Sequence, residues 1–255
     1  MEQYYEFWSD QMVAGHDLAF WQEFFVKFYQ AFIEKDRWKQ YLEGVGTTLW
    51  VTAMALALGV VLGMIVAILR AAHDQQAPGK KNWLLRILNC LCQIYVTVIR
   101  GTPMMVQLLI MGTVIFSSSR QFTLVGALTL GINSGAYVAE IIRGGLMALD
   151  KGQMEAGRSL GLGYVDTMRF IVVPQAFKSI LPALGNEFIV LLKDTSLISV
   201  IGGKELLYAA QGIATRTYEQ MYPLLGTATI YLALVMVFTW GLNFLERRLR
   251  QGDRH

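Results

Sequence analysis

From Thr47 to Leu69 the chain runs without a single charged residue. Wound as an α-helix at 1.5 Å rise per residue, that stretch is roughly 35 Å long, enough to cross a hydrocarbon core of about 30 Å. Backbone amides in lipid have no water to bond, so a lone apolar crossing of this length has to be helical. Whether it is one crossing or several depends on the rest of the chain. Only 16% of the 255 residues are charged, 54% are apolar and the mean hydropathy is +0.41. A soluble domain carries roughly a quarter charged residues. The sequence therefore predicts an all-α, multi-span membrane protein.

Five spans are predicted. The first is Val45–Leu69, closed by Arg70, and a polar loop over 71–82 follows. A second apolar region runs from Leu84 to Phe116, interrupted by Arg100-Gly101-Thr102-Pro103. It is either one broken crossing or an interfacial helix followed by a shorter span. The third span covers Phe122–Leu149, the fourth Gln175–Ile201 and the fifth Tyr222–Leu245, with a polar, glycine-rich stretch from Asp150 to Pro174 between the third and fourth. An odd number of crossings puts the termini on opposite sides. Lys80, Lys81 and Arg86, then Arg143, Lys151, Arg158, Arg169 and Lys178, then Arg247, Arg248, Arg250 and Arg254 share one face if the N-terminus is outside. Positive residues favour the cytoplasmic side, which places the 150–174 loop and the C-terminus there.

Residues 1–42 differ in kind. Phe20, Trp21, Phe24, Phe25, Phe28, Tyr29 and Phe32 recur at three- and four-residue spacing with Asp17, Glu23, Lys27, Glu34 and Lys35 between them. This is an amphipathic aromatic helix, suited either to the headgroup layer outside or to packing on the bundle. It lacks a basic start and an apolar run before residue 43, so no cleaved leader is expected. Three regions follow: an extracytoplasmic aromatic segment 1–42, a five-helix domain 43–246 and a basic cytoplasmic tail 247–255.

Several chemistries are disfavoured. The net charge of +3 comes from basic residues grouped by segment, which reports orientation rather than nucleic-acid binding. Cys90 and Cys92 sit two apart in an apolar run and point to different helix faces, against both a disulfide and a metal site. His16, His73 and His255 are scattered.

The most specific segment is 150–174. It reads Glu155-Ala156-Gly157, then Gly161, then Ile171-Val172-Val173-Pro174. Asp150 is placed to cap a short helix, and Gly161 to take the left-handed position that ends it. Gly163 allows a second turn before helical pattern resumes over Val165–Val172. Two short helices projecting from a bundle make a knob for a partner's groove, with Arg158 and Arg169 at its rim. The spacing resembles the signature E-A-A-x3-G-x9-I-x-L-P of ABC-importer permeases, with Gly157 and Val173 as departures.

The resemblance covers about residues 45–250. Arg100-Gly101-Thr102-Pro103 with Val106-Gln107, Asn133-Ser134-Gly135-Ala136-Tyr137 with Glu140, Gly185-Asn186-Glu187, and Leu192-Lys193-Asp194-Thr195-Ser196-Leu197 resemble the polar amino-acid subfamily. It implies a five-transmembrane-helix type I importer fold (MetI-like) in a bacterial inner membrane. It also implies a second permease subunit, a cytoplasmic ATPase dimer and an extracytoplasmic amino-acid-binding protein as partners. Glu155, Ala156, Gly157, Gly161 and Pro174 are then the residues that couple to the ATPase. No G-x4-G-K-[ST] occurs, since Gly79-Lys80 is followed by Lys81 and Gly203-Lys204 by Glu205. The chain is thus expected to bind no cofactor itself, with ATP and magnesium on the partner.

Polar residues inside spans cost roughly 2.5–3.5 kcal/mol each when charged at mid-bilayer, so they are expected to face the bundle interior. On the fourth span Asn186 and Lys193 are seven apart, as are Glu187 and Asp194, and the spacing predicts one shared stripe. Asn133, Tyr137 and Glu140 form a matching stripe on the third. Glu187, with Asn186, Asn133, Tyr137 and Glu140, is the candidate substrate path, and its carboxylate suits an α-ammonium or a cationic side chain. A structural ion pair for Glu187 is the alternative. Lys193 and Asp194 are expected to stabilise the helix or an interface. A proton-coupled secondary transporter using Glu187 and Asp194 is the competing function, although it calls for two related halves that the chain lacks. A membrane enzyme would need a nucleophile–base or metal cluster, and none is visible.

Overall fold

The uncharged stretch forms the middle of a 38-residue helix, α3 (Arg37–Asp74). The computed structural model describes residues 1–74, 76 and 82–251. Among these there is no strand. Lys80, Lys81, Arg254 and His255, used above for orientation or metal chemistry, lie outside the described residues.

Arg100-Gly101-Thr102-Pro103 breaks the second apolar region as its chemistry requires. Pro103 cannot donate to a preceding turn, and the residue before a proline is pushed into the extended region. Accordingly α4 (Trp83–Gly101) ends at Thr102, whose φ and ψ are −117° and 144°. A shorter helix, α5 (Met104–Leu109), continues into a π-helical turn over Ile110–Ile115. The Gln107 amide holds the break together, donating to the Ile99 carbonyl at 2.8 Å and the Thr102 hydroxyl at 2.8 Å. The two pieces run as one broken rod alongside α6 (Phe122–Met147). Cys92 and Val96 pack with Ala136 and Ala139, Ile99 and Thr102 line a cavity with Thr129 and Ile132, and Leu108 packs with Val125 and Leu130. That pairing order is antiparallel.

α3 and α6 lie parallel and very close. A Cβ built at Gly59 would come within 2.7 Å of the Ser134 hydroxyl oxygen, and one at Gly63 within 2.6 Å of Val138. From the other side, Gly131 abuts Leu58 and Gly135 abuts Leu62 and the Tyr95 hydroxyl. Glycines four apart on each helix let the backbones approach without a driving force from water. α9 (Val173–Asp194) runs antiparallel to α6: Ile180 meets Gly145, Glu187 meets Ser134, and the following 3₁₀ turn brings Ile198 against Gly126. α11 (Met221–Gln251) reverses again, with Leu242 on Gly185 and Phe238 on Phe188.

Among the described residues, four helices are long and apolar enough to cross a membrane: Glu34–Asp74, Trp83–Gly101, Phe122–Met147 and Met221–Leu249. α9 has the length but carries Lys178, Glu187, Lys193 and Asp194. It is nevertheless sandwiched in the alternating order, and its charges explain why it does not read as a plain span.

The N-terminal segment forms α1 (Glu2–Val13) and α2 (Phe20–Phe32). Tyr5 stacks on Tyr29, Trp8 packs edge-on against Trp21 and Phe25, and Phe32 seats against Gly226 and beside Tyr41. α2 thus docks on the bundle through Val26, Ala31 and Phe32, while Phe20 and Trp21 on its outer face remain exposed. Lys27 bridges Glu23 at 2.8 Å and Glu219 at 3.1 Å, and the two carboxylates hold its ammonium above the ordinary lysine value. A shorter helix, α10 (Leu206–Thr217), crosses the same end of the bundle.

Candidate functional site

Between α6 and α9 the chain forms a helical hairpin, α7 (Lys151–Ser159) and α8 (Tyr164–Thr167). Asp150 caps α7, its carboxylate accepting the Gly152 N–H at 2.9 Å. Gly161 adopts φ +82°, its N–H bonding the Arg158 carbonyl at 3.0 Å while Leu162 N–H bonds Gly157 at 3.1 Å. Those two bonds close a Schellman motif, which needs a left-handed residue and hence glycine. Thr167 is fully buried against Gly157, and its hydroxyl donates to the Gly163 carbonyl at 2.9 Å. Glu155 and Ala156 face solvent, as does an apolar set beyond them: Leu160 (80% exposed), Val165 and Phe170. Pro174 falls at the start of α9, where a missing N–H costs nothing. The hairpin is a rigid, closed knob with an apolar tip.

The polar residues of the membrane helices sort into two groups. On α6, Asn133, Tyr137, Glu140 and Gly144 follow one line, which lies between the α4-facing Ala136 and Ala139 and the α9-facing Ser134 and Gly145. Asn133 Nδ2 donates to the side-chain amide oxygen of Gln107 at 3.0 Å, and Tyr137 lies under the Arg100 guanidinium at 5.2 Å from its ring centre. Glu140 holds three arginines: Arg70 at 2.5 Å, Arg143 at 2.6 Å and Arg100 at 3.8 Å. On the opposite flank, the partly buried Glu187 accepts the hydroxyl of the fully buried Ser134 at 2.8 Å.

The single stripe expected on α9 is in fact two. Asn186 and Lys193 are exposed, whereas Glu187 and Asp194 are partly buried. Adjacent residues on a helix stand about 100° apart, so the two seven-residue pairs occupy neighbouring lines rather than one. Among the described residues, Lys193 and Asp194 make no ion pair with each other. Lys193 opens onto a 290 Å³ cleft with Thr227 and Tyr231.

Glu205 is the polar residue that sequence reading passed over. It is 1% exposed and caps α10, accepting Leu207 N–H at 2.8 Å, Tyr208 N–H at 2.7 Å and the Tyr231 hydroxyl at 2.7 Å. An acidic residue after Gly202-Gly203 and before an apolar run is a helix-start signal that was available. Among the described residues no three His, Cys, Asp or Glu gather as a metal site requires.

Comparison with known proteins supplies the remaining evidence. Residues 59–251 match the family described as binding-protein-dependent transport system inner membrane component. The glutamine transport system permease protein of Escherichia coli is 36% identical over 214 residues, covering 82% of this chain and 92% of that protein. A Rickettsia typhi protein provisionally named for the same system is 34% identical over 230 residues, covering 89% and 98%. Among solved structures, an amino acid ABC transporter crystallised with histidines superposes with a TM-score of 0.74 at 39% identity, covering 82% of this chain and 94% of that one. The inward-facing methionine transporter MetNI superposes with a TM-score of 0.67 at 18% identity, over 85% and 99%, which is a likeness of fold.

Proposed function

The chain belongs to the family of binding-protein-dependent transport system inner membrane components, and from that premise we propose that it imports polar amino acids as one of two permease subunits driven by a separate ATPase. Family membership makes it a transport component rather than an enzyme, and it sets aside the proton-coupled alternative. The observation that carries the coupling reading is the hairpin: a capped, Schellman-closed knob with Leu160 and Val165 exposed near its tip and Phe170 exposed on its flank. A rigid apolar knob transmits a push from a partner's groove, and a loose loop does not. In this reading Glu155, Ala156, Gly157, Gly161 and Pro174 shape the element that docks on the ATPase, which carries ATP and magnesium.

The N-terminal aromatic segment lies outside the cell and the hairpin and C-terminus inside, across five crossings. Support comes from the alternating helix order, and from the gathering of Arg86, Arg143, Arg158, Arg169, Arg247 and Arg248 at the hairpin end. The open line on α6 is the substrate path. One flank offers the Asn133–Gln107 amide pair and the cationic Arg100 over Tyr137; the other offers Glu187. A path with both signs of charge suits a zwitterionic amino acid, and glutamine is the first candidate by likeness to its relatives. Glu140 and Asn186 border the path, the former fixing the arginines. Lys193 and Asp194 act at an interface.

The test uses the importer reconstituted with its ATPase and binding protein. Leu160→Asp or Glu155→Lys should abolish ATP-driven uptake while the permease still reaches the membrane. Undiminished uptake in both would refute the coupling role.

A further inference from the structure

A polar pocket and an apolar groove meet at the hairpin end of the bundle. The pocket, 530 Å³, opens between the ends of α3 and α6 and the hairpin, and its charged walls are Arg70, Asp74, Arg143 and Asp150. The groove, 500 Å³, runs between α3 and α9, and every residue lining it is apolar. Ala67, Ala71, Leu146 and Met168 line both, so the two form one continuous depression.

Its dimensions match one leaflet of a bilayer. Along α3 the groove extends from Ala72 to Val60, about 18 Å at 1.5 Å per residue, against roughly 15 Å for half a hydrocarbon core. An acyl chain fits that length with its headgroup in the pocket. A groove walled almost wholly by carbon offers a water-soluble ligand little to bond.

The charges select the headgroup. Three guanidinium groups share the single Glu140 carboxylate, Arg70 and Arg143 in short contact and Arg100 at 3.8 Å. This leaves Arg70 and Arg143 with positive charge in excess where α3 and α6 meet, which suits a phosphate. One turn beyond Arg70 on α3 stands Asp74, its side chain 74% exposed, and Asp150 lines the pocket at the start of the hairpin. Two cations and two anions lining one pocket favour a headgroup of both signs over an anionic one. Carboxylates accept hydrogen bonds from a primary ammonium, whereas a quaternary ammonium has no N–H to give.

We propose that this depression holds one phospholipid with a phosphoethanolamine headgroup, its phosphate on Arg70 and Arg143, its ammonium on Asp74 and Asp150, and an acyl chain between α3 and α9. Because Asp150 also caps α7 and Met154 lines the same pocket, the lipid touches the base of the hairpin directly. The assignment needs the hairpin end to lie at a membrane surface and holds for either orientation of the chain, so it stands apart from the coupling reading.

Native mass spectrometry of the assembled importer, exposed to equal amounts of phosphatidylethanolamine, phosphatidylcholine and phosphatidylglycerol, provides the test. Charge-assisted hydrogen bonds to the ammonium should enrich phosphatidylethanolamine about tenfold over phosphatidylcholine. Asp74→Asn should cut that preference, and Ala71→Trp, which fills the throat without altering charge, should remove bound lipid of every class. Equal retention of the three lipids, a preference for phosphatidylglycerol, or unchanged retention in both variants would overturn the proposal. So would loss of subunit pairing in Ala71→Trp with lipid retained, which assigns the groove to a second copy of the chain.

Discussion

A Cβ at Gly157 would sit 2.5 Å from the Thr167 methyl carbon and 2.8 Å from its hydroxyl oxygen. The departure from alanine at that motif position is therefore matched to Thr167, whose hydroxyl is tied to the Gly163 carbonyl and cannot swing away without losing that bond. Gly157→Ala should destabilise the hairpin, and adding Thr167→Ala should recover part of the loss. The coupling between the two substitutions should be about 0.5–3 kcal/mol, the range for residues in contact; a double-mutant cycle on thermal unfolding or on protease nicking of the hairpin reads it. Gly161 fails for a different reason: nothing lies near it, but its φ of +82° costs an L-residue roughly 1–2 kcal/mol. Gly161→Ala should lower the same unfolding signal, and no second-site change nearby should rescue it. At Glu205, Ala removes the acceptor of two helix N–H groups and of the Tyr231 hydroxyl. A lost cap costs about 1 kcal/mol, and Glu205→Ala should exceed that in a melting assay because the Tyr231 hydroxyl also loses its 2.7 Å acceptor and keeps Thr195 at only 3.5 Å, with Glu205→Gln intermediate. Asp150 and Gly161 were legible because cap and stop signals are local. Gly157 is not, because what decides it is a side chain ten residues away on another helix; at Glu205 the cap is a local signal, but its burial against a tyrosine twenty-six residues away is not.

The α3–α6 pair shows the same limit for whole elements. Hydropathy finds both helices, yet it says nothing of their being parallel neighbours whose glycines interlock at Gly59, Gly63, Gly131 and Gly135. Water cannot drive two apolar helices together in lipid, so close approach through small residues carries the association. Gly63→Ala should destabilise the subunit in detergent, since its Cβ would fall 2.8 Å from the Ala139 backbone nitrogen, which cannot yield as a side-chain end would. Gly46→Ala on the same helix has open space and should be neutral or gain up to about 1 kcal/mol from helix propensity. Equal effects at the two positions would mean that the seam does not hold the pair. For the second apolar region a Thr-Pro break is compatible with two arrangements in sequence. The pairing of Cys92 with Ala139 and of Leu108 with Val125 aligns both pieces along α6.

At the scale of the molecule, reversals at each connection place the ends of α3, α6 and α11 at the hairpin side and put α10 with the aromatic N-terminal helices at the other. Apolar run length delivers that alternation. It includes the fourth span, Gln175–Ile201, whose four charges interrupt an otherwise apolar sequence and keep α9 from the hydropathy of a plain span. Orientation was inferred from basic residues, and it is the property with most riding on it: the hairpin can meet an ATPase only from the cytoplasm, and α2 can meet a binding protein only from outside. Two exposed positions report it. Tyr218 is 97% exposed at the turn after α10, and Leu160 is 80% exposed at the hairpin tip. With exposed Cys90 replaced by serine and buried Cys92 retained, a membrane-impermeant maleimide added to spheroplasts, which expose the outer face of the inner membrane, should label Tyr218→Cys and spare Leu160→Cys. Inverted vesicles should give the reverse, and returning the ATPase should slow labelling at Leu160→Cys alone. Labelling of both sites from one side would break the alternation of the helices. A clean exchange of the two would preserve the fold and turn the protein over in the membrane, leaving the hairpin with no ATPase to meet.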